Sequence, residues 1–211
     1  MYFYTRMGRV RPGRMADATG WAVDLTGRVN QVTGLRVGLW TTMFSPGVGT
    51  MAWSTFVPDL MTLDEANGKL MADQAFLAEV ERGGEIFTEA GMDDSVAQLV
   101  HTAGEPVTDP RYASIVLSGM AAGGFGKGIE VGIEIAERAT RLSGISTSFL
   151  VAATGPYAGC AWIAASETLD ALDSGERAVN SNPDFIAYLD EAAADVYRPE
   201  ISTQTLWSRI T

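Results

Sequence analysis

The chain has 211 residues, a formal net charge of −11 and 46 % hydrophobic residues. That length suits one large domain or two of about 100 residues each. A surface of this sign repels phosphate backbones, so nucleic acid and anionic membranes are excluded as expected partners. No run approaches the roughly 18 apolar residues of a membrane span. The opening MYFYTRMGRV reads as a strand rather than a signal peptide. A single cysteine, Cys160, rules out an intrachain disulfide and fits a reducing cytoplasm, the expected location. It reads as a small buried hydrophobe.

In chain order, an alternating run comes first, YFYTRM, followed by a Gly-containing loop. Val23, Leu25 and Val29 then mark a helix. Gly34 stands where that helix should stop. LRVGLWTTMF and TMAWSTFV predict a hairpin around Ser45, Pro46 and Gly47. A broken helical region follows, with Asp73 as an N-cap before Phe76. VAQLVH is the last strand. TAGEPVTDPR, rich in turn formers, reads as a linker at 102–111.

The same order then begins again. Tyr2 recurs as Tyr112, Gly13 as Gly123, Arg28 as Arg138, Gly34 as Gly144 and Pro46 as Pro156, at an offset of 110. After one deletion the offset is 109, matching Trp53 to Trp162, Leu60 to Leu169, Leu63 to Leu172, Phe76 to Phe185 and Ala78 to Ala187. Such periodicity implies one fold used twice. The expected organisation is a repeat at 1–101, a linker at 102–111 and a second repeat at 112–211. The second copy supplies YASIVLS, a helix through Ile129, Ile133, Ala136 and Leu142, the strands ISTSFLVAA and GCAWIAA, an N-cap at Asn182 and the strand TLWSRI.

Strand, helix, strand, strand, helix, strand is the ferredoxin-like βαββαβ motif. Its sheet carries helices on one face and leaves the other to be covered. The expected class is α+β, with two tandem ferredoxin-like repeats packing sheet-to-sheet into an α+β barrel. In this the chain resembles the dimeric α+β barrel superfamily in fused form. The resemblance spans almost the whole chain and rests on topology and the repeat. It implies a ligand between sheet and helices or inside the barrel. The superfamily includes cofactor-independent monooxygenases, isomerases and cyclases, haem proteins with a histidine ligand, and proteins without known activity.

Alternation in the first strands predicts that Phe3, Thr5 and Met7 face the helices, and that Tyr2, Tyr4 and Arg6 face the barrel interior. In the second strands Val37 and Leu39 should face the helices, with Arg36 and Trp40 inward. Copy two has Ser114, Val116, Ser146 and Ser148 at positions matching the inward set. Large amphipathic groups facing small polar ones leave room for a ligand, or else fill the space. Tyr4, Arg6, Arg36 and Trp40 are the candidate ligand-binding residues, on the copy-one side. His101, the only histidine, is the candidate general base and should lie near Tyr2. No histidine-based metal site is expected, because no second histidine exists. GMAAGGFGKG at 119–128 fails both the phosphate-loop and dinucleotide patterns and reads as a turn.

The leading expectation is a small-molecule-binding barrel, with a cofactor-independent enzyme acting on an aromatic or polyketide-like metabolite as its sharper form. No cofactor is expected. The alternative is a structural or assembly protein with a filled barrel, and the third reading is a haem protein. Further self-association is left open.

Overall fold

The computed structural model describes residues 1–211, apart from the side chains of Glu89 and Ala90. The fold is α+β. The first ferredoxin-like copy runs β1 (Tyr2–Val10), α1 (Met15–Thr33), β2 (Gly38–Met43), β3 (Thr50–Val57), α2 (Leu60–Met71), α3 (Gln74–Gly83) and β4 (Phe87–Ala103). The second runs β5 (Tyr112–Gly119), α4 (Phe125–Ser143), β6 (Thr147–Ala152), β7 (Gly159–Ser166), α5 (Leu169–Asn180), α6 (Pro183–Tyr188) and β8 (Thr203–Arg209). A π-helical turn (Leu189–Ala193) and a 3-10 turn (Pro199–Ile201) separate α6 from β8. The strands hydrogen-bond in the closed order β1-β3-β2-β8-β5-β7-β6-β4, so the sheet is a barrel without a free edge. Two compact units result: 1–96 with 208–211, and 97–207.

The local signals act where expected. Gly34 and Gly144 close α1 and α4 in the left-handed region, at φ 77° and 71°. Asp73 and Asn182 cap α3 and α6, their side chains accepting the amides of Phe76 and Phe185. Thr168 likewise accepts the Ala171 amide at the start of α5.

Each unit has its own core between sheet and helices. In the first, Val10, Leu39, Met51 and Trp53 pack on Ala18, Ala22 and Leu25 of α1 and on Phe76 of α3. In the second, Phe149, Cys160 and Trp162 pack on Val131 and Ala136 of α4 and on Val196 and Tyr197. The second strands face as expected, with Val37, Leu39 and Phe149 toward the helices.

The first strands do not. Arg6 stands opposite Trp53 and Gly8 opposite Met51 in the β1–β3 ladder. Residues paired across a ladder share a face. Trp53 and Met51 belong to the helix-side core. Tyr4 and Arg6 are therefore on the helix face, while Phe3, Thr5 and Met7 are on the other, where Phe3 meets Phe56 at 4.8 Å. The second unit agrees, since Val116 stands opposite Trp162. The expected alternation is inverted because both faces of a closed barrel bury side chains, so the more apolar set need not be the helix-facing one.

His101 is also displaced from its expected neighbour. It pairs with Phe149 of β6, just past a register shift between Leu99 and His101. β4 is long enough for this end to belong to the second unit, whereas Tyr2 belongs to the first.

Candidate functional site

A cavity of about 280 Å³ lies in the second unit, between the β5–β7 face of the sheet and α4, α5 and α6. Its apolar wall is Val116, Ile135, Ala139, Leu172, Phe185 and Leu189, with the rings of Trp162 and Tyr197. The side chains that bound it follow from strand and helix periods. Ser114, Val116 and Ser118 alternate along β5, Trp162 and Ala164 along β7, and Ile135 and Ala139 are one turn apart on α4. Leu189 and Ala193, from the π-helical turn, complete it. Such turns shift the helical register and recur at functional sites.

Trp162 donates its indole N–H to the Gly132 carbonyl at 2.9 Å, and the Tyr197 hydroxyl donates to the Gly128 carbonyl. Trp162 lies tilted against Phe149 at 5.2 Å and meets Tyr197 edge-on at 5.0 Å. The polar handles of both rings are thus taken up by α4, which leaves rigid apolar surfaces toward the cavity. Burial raises the Tyr197 phenol far above its ordinary range, so it is no acid–base group near neutrality. Burial also pushes the Cys160 thiol up to about 12, which removes it as a nucleophile.

Polar groups gather at one side. Gln204 Nε2, on β8, donates to Ser114 Oγ at 3.1 Å and to Glu176 Oε2 of α5 at 3.0 Å. The Ser118 and Ser202 hydroxyls, also on the cavity lining, are 2.8 Å apart. An apolar pocket with a few convergent polar groups is the ordinary form of a small-molecule site.

None of the five residues expected from the sequence lines this cavity. Tyr4 and Arg6 are brought together with Asp94 of β4. Arg6 Nε and a terminal guanidinium nitrogen each donate to the Asp94 carboxylate at 2.7 Å, and the Tyr4 hydroxyl donates to it at 3.1 Å. Arg6 thereby holds the Asp94 carboxyl below its usual range. Burial, opposed by Arg6, pushes the Tyr4 phenol up to about 12. Trp40 lies on the sheet face away from the helices, with the Arg209 guanidinium 5.9 Å from its ring. Arg36 is exposed in the turn before β2. His101 Nε2 lies 3.5 Å from Glu137 Oε1 of α4. These are separate places rather than one constellation.

Glu176, Gln204 and Tyr197 were not singled out from the sequence. The available signal was the contrast between Tyr4 and Ser114 and between Arg6 and Val116. Those pairs do occupy equivalent strand positions, and the room lies beside the small members. A histidine-ligated haem does not fit the cavity, because its wall carries no histidine and His101 lies outside it. Among the described residues no cluster of three or more His, Cys, Asp or Glu could hold a metal ion. No helix is long and apolar enough to cross a membrane.

No protein-family model matches the chain, and no curated protein matches it. Solved structures do. A putative monooxygenase from Fusobacterium nucleatum superposes with a TM-score of 0.71 at 10 % identity, over 100 % of this chain and 92 % of that one. An anthrone oxidase-like protein gives 0.70 at 10 %, over 100 % and 91 %. A chlorite dismutase from Candidatus Nitrospira defluvii gives 0.55 at 12 %, over 98 % and 91 %. At such identities the likeness speaks for architecture. With the closed eight-strand order, it establishes that the chain has the α+β barrel fold of these proteins, built from two ferredoxin-like copies.

Proposed function

We propose that the protein binds a neutral, fused-ring small molecule in the cavity of its second unit, and that it acts on this molecule without a cofactor. The cavity itself carries the reading. Its volume is about 280 Å³, roughly twice the ~150 Å³ apolar hole that accepts a benzene. Two or three fused rings fit such a space. The flat faces of Trp162 and Tyr197 favour an aromatic ligand. Glu176 at the rim disfavours a carboxylate or phosphate ligand. The neighbours named as monooxygenase and anthrone oxidase-like support oxygenation of an aromatic, polyketide-like ketone as the reaction.

The test is a thermal-shift screen of neutral ring ketones and phenols, anthrone and β-tetralone among them, followed by oxygen-consumption assays on those that bind. A ligand at a hundred times its Kd adds about 2.7 kcal/mol of stability. Ser114→Tyr, which installs the copy-one side chain at the cavity wall, should remove the shift while the protein stays folded. Undiminished binding by Ser114→Tyr would refute the placement. Loss of the shift in Arg6→Ala, Arg36→Ala or His101→Ala, with Ser114→Tyr unaffected, would instead restore the residues expected from the sequence. If nothing in the screen binds, the filled structural barrel becomes the better reading.

A further inference from the structure

The polar side of the cavity has an arrangement that a passive binding pocket does not need, and the inference from it rests on the ligand reading above. Gln204 Nε2 spends both amide protons, one on Ser114 Oγ and one on Glu176 Oε2. Ser114 is 3 % exposed, and among the described residues its own hydroxyl proton has no acceptor. It is free to donate into the cavity that Ser114 lines. Glu176 accepts from Gln204 through one oxygen, and among the described residues its other oxygen accepts nothing. A donor and a carboxylate are therefore held side by side by one nitrogen, 3.1 Å from the first and 3.0 Å from the second. Two groups tied to a single atom are too close to serve opposite ends of a ring system. Their spacing suits adjacent atoms of one ligand: a carbonyl oxygen and the carbon next to it.

We propose that Ser114 and Glu176 form an enolisation clamp for a neutral cyclic ketone. The Ser114 hydroxyl donates to the substrate carbonyl oxygen. Glu176 removes a proton from the adjacent carbon. The C–H bonding pair becomes the new C=C bond, the carbonyl π pair moves onto oxygen, and the proton resides on Glu176. The resulting enolate oxygen is stabilised by the Ser114 hydrogen bond in a mostly apolar surround, where such a donor acts most strongly. Return of the proton regenerates the ketone, so the step needs no oxidant or cofactor. Gln204 is a positioning residue that sets the distance between the two. In the first unit Tyr4 and Arg6 take the places of Ser114 and Val116, and the carboxylate there, Asp94, is consumed by Arg6. The clamp belongs to the second unit.

The experiment is deuterium incorporation into β-tetralone in D2O under argon, followed by proton NMR, with Kd measured in parallel by titration. Wild type should accelerate exchange at the carbon beside the carbonyl. Glu176→Gln, which still accepts from Gln204, should bind within about threefold of wild type and lose roughly a hundredfold or more of the acceleration. Ser114→Ala should bind and lose a comparable factor. Binding by wild type with exchange no faster than in buffer overturns the clamp and leaves the ligand reading intact. Exchange by Glu176→Gln at the wild-type rate overturns it as well. Absence of β-tetralone binding overturns the clamp, while the ligand reading stands or falls on the wider screen.

Discussion

Gly132 sets how closely α4 approaches the sheet behind the cavity. A Cβ added there would lie 2.3 Å from Phe149 Cζ, 2.5 Å from Cε2 and 2.7 Å from Cε1. The ring cannot retreat easily, because Phe149 is fully buried and packed against Trp162 at 5.2 Å. Alanine for glycine in a helix interior gains about 0.5–1 kcal/mol. Overpacking a tight core costs about 1–3 kcal/mol. Contacts this short belong at the upper end, so Gly132→Ala should destabilise by about 2 kcal/mol. For a chain of this length that lowers Tm by roughly 4–8 °C. Gly20 of α1 supplies the control, since nothing lies within 4 Å of its added Cβ. Gly20→Ala should raise Tm by a few degrees. Scanning calorimetry of both variants decides the matter. Because Trp162 forms the cavity wall, Gly132→Ala should also weaken any ligand identified above. A Gly132→Ala variant that melts at or above wild type would show that the helix slides freely, and the packing argument would fail.

Four further expectations follow from individual contacts. The folded pKa of Asp94 is depressed by Arg6, so its contribution is present above the ordinary carboxylate range and is lost as pH falls through the folded value. The stability gap between wild type and Asp94→Asn should therefore close on acidification in denaturant titrations. Both side chains are nearly half exposed, at 45 % and 46 %, so the gap at neutral pH should stay near 1 kcal/mol or below. Asn182→Ala and Thr168→Ala each remove a helix cap and should cost about 1 kcal/mol in chemical denaturation. Tyr197→Phe removes a second donor from the Gly128 carbonyl of α4 and should destabilise by about 0.5–1.5 kcal/mol without changing helix content by circular dichroism. Cys160, buried and with its pKa pushed up to about 12, should react with iodoacetamide at pH 8 only after unfolding, as followed by mass spectrometry.

What the sequence made legible were features carried by local chemistry. Gly34, Gly144, Asp73 and Asn182 each announce a helix end through a backbone or side-chain requirement that neighbours cannot supply. The order of elements then implied a ferredoxin-like sheet, and that sheet closes. The facing of β1 was not legible, because Phe3, Thr5 and Met7 look like a core stripe and only the pairing of Arg6 with Trp53 reveals their side. His101 was misplaced for a related reason. Its position depends on how far β4 extends and on a register shift, neither of which leaves a mark in the strand's own residues. Tyr197 could not be foreseen as a cavity wall, because it follows a π-helical turn that has no counterpart in the first copy.

The two copies show what becomes of one scaffold when the side chains on one layer change size. In the first unit Trp21, Trp53 and Phe87 meet at 5.5–6.1 Å, and the Trp21 indole donates to the Glu79 carbonyl. The residue at the place of Trp21 in the second copy is Val131. Together with Tyr4 to Ser114 and Arg6 to Val116, three large side chains have small counterparts on the same helix-facing layer. Compensation is incomplete, and about 280 Å³ stays open. A fold that merely needed a second core would close the gap with larger side chains, as the first copy does. The second unit instead keeps the gap, fixes its aromatic wall through backbone hydrogen bonds, and sets a serine, a glutamine and a glutamate at its rim. Space retained and lined in that way is best explained by an occupant.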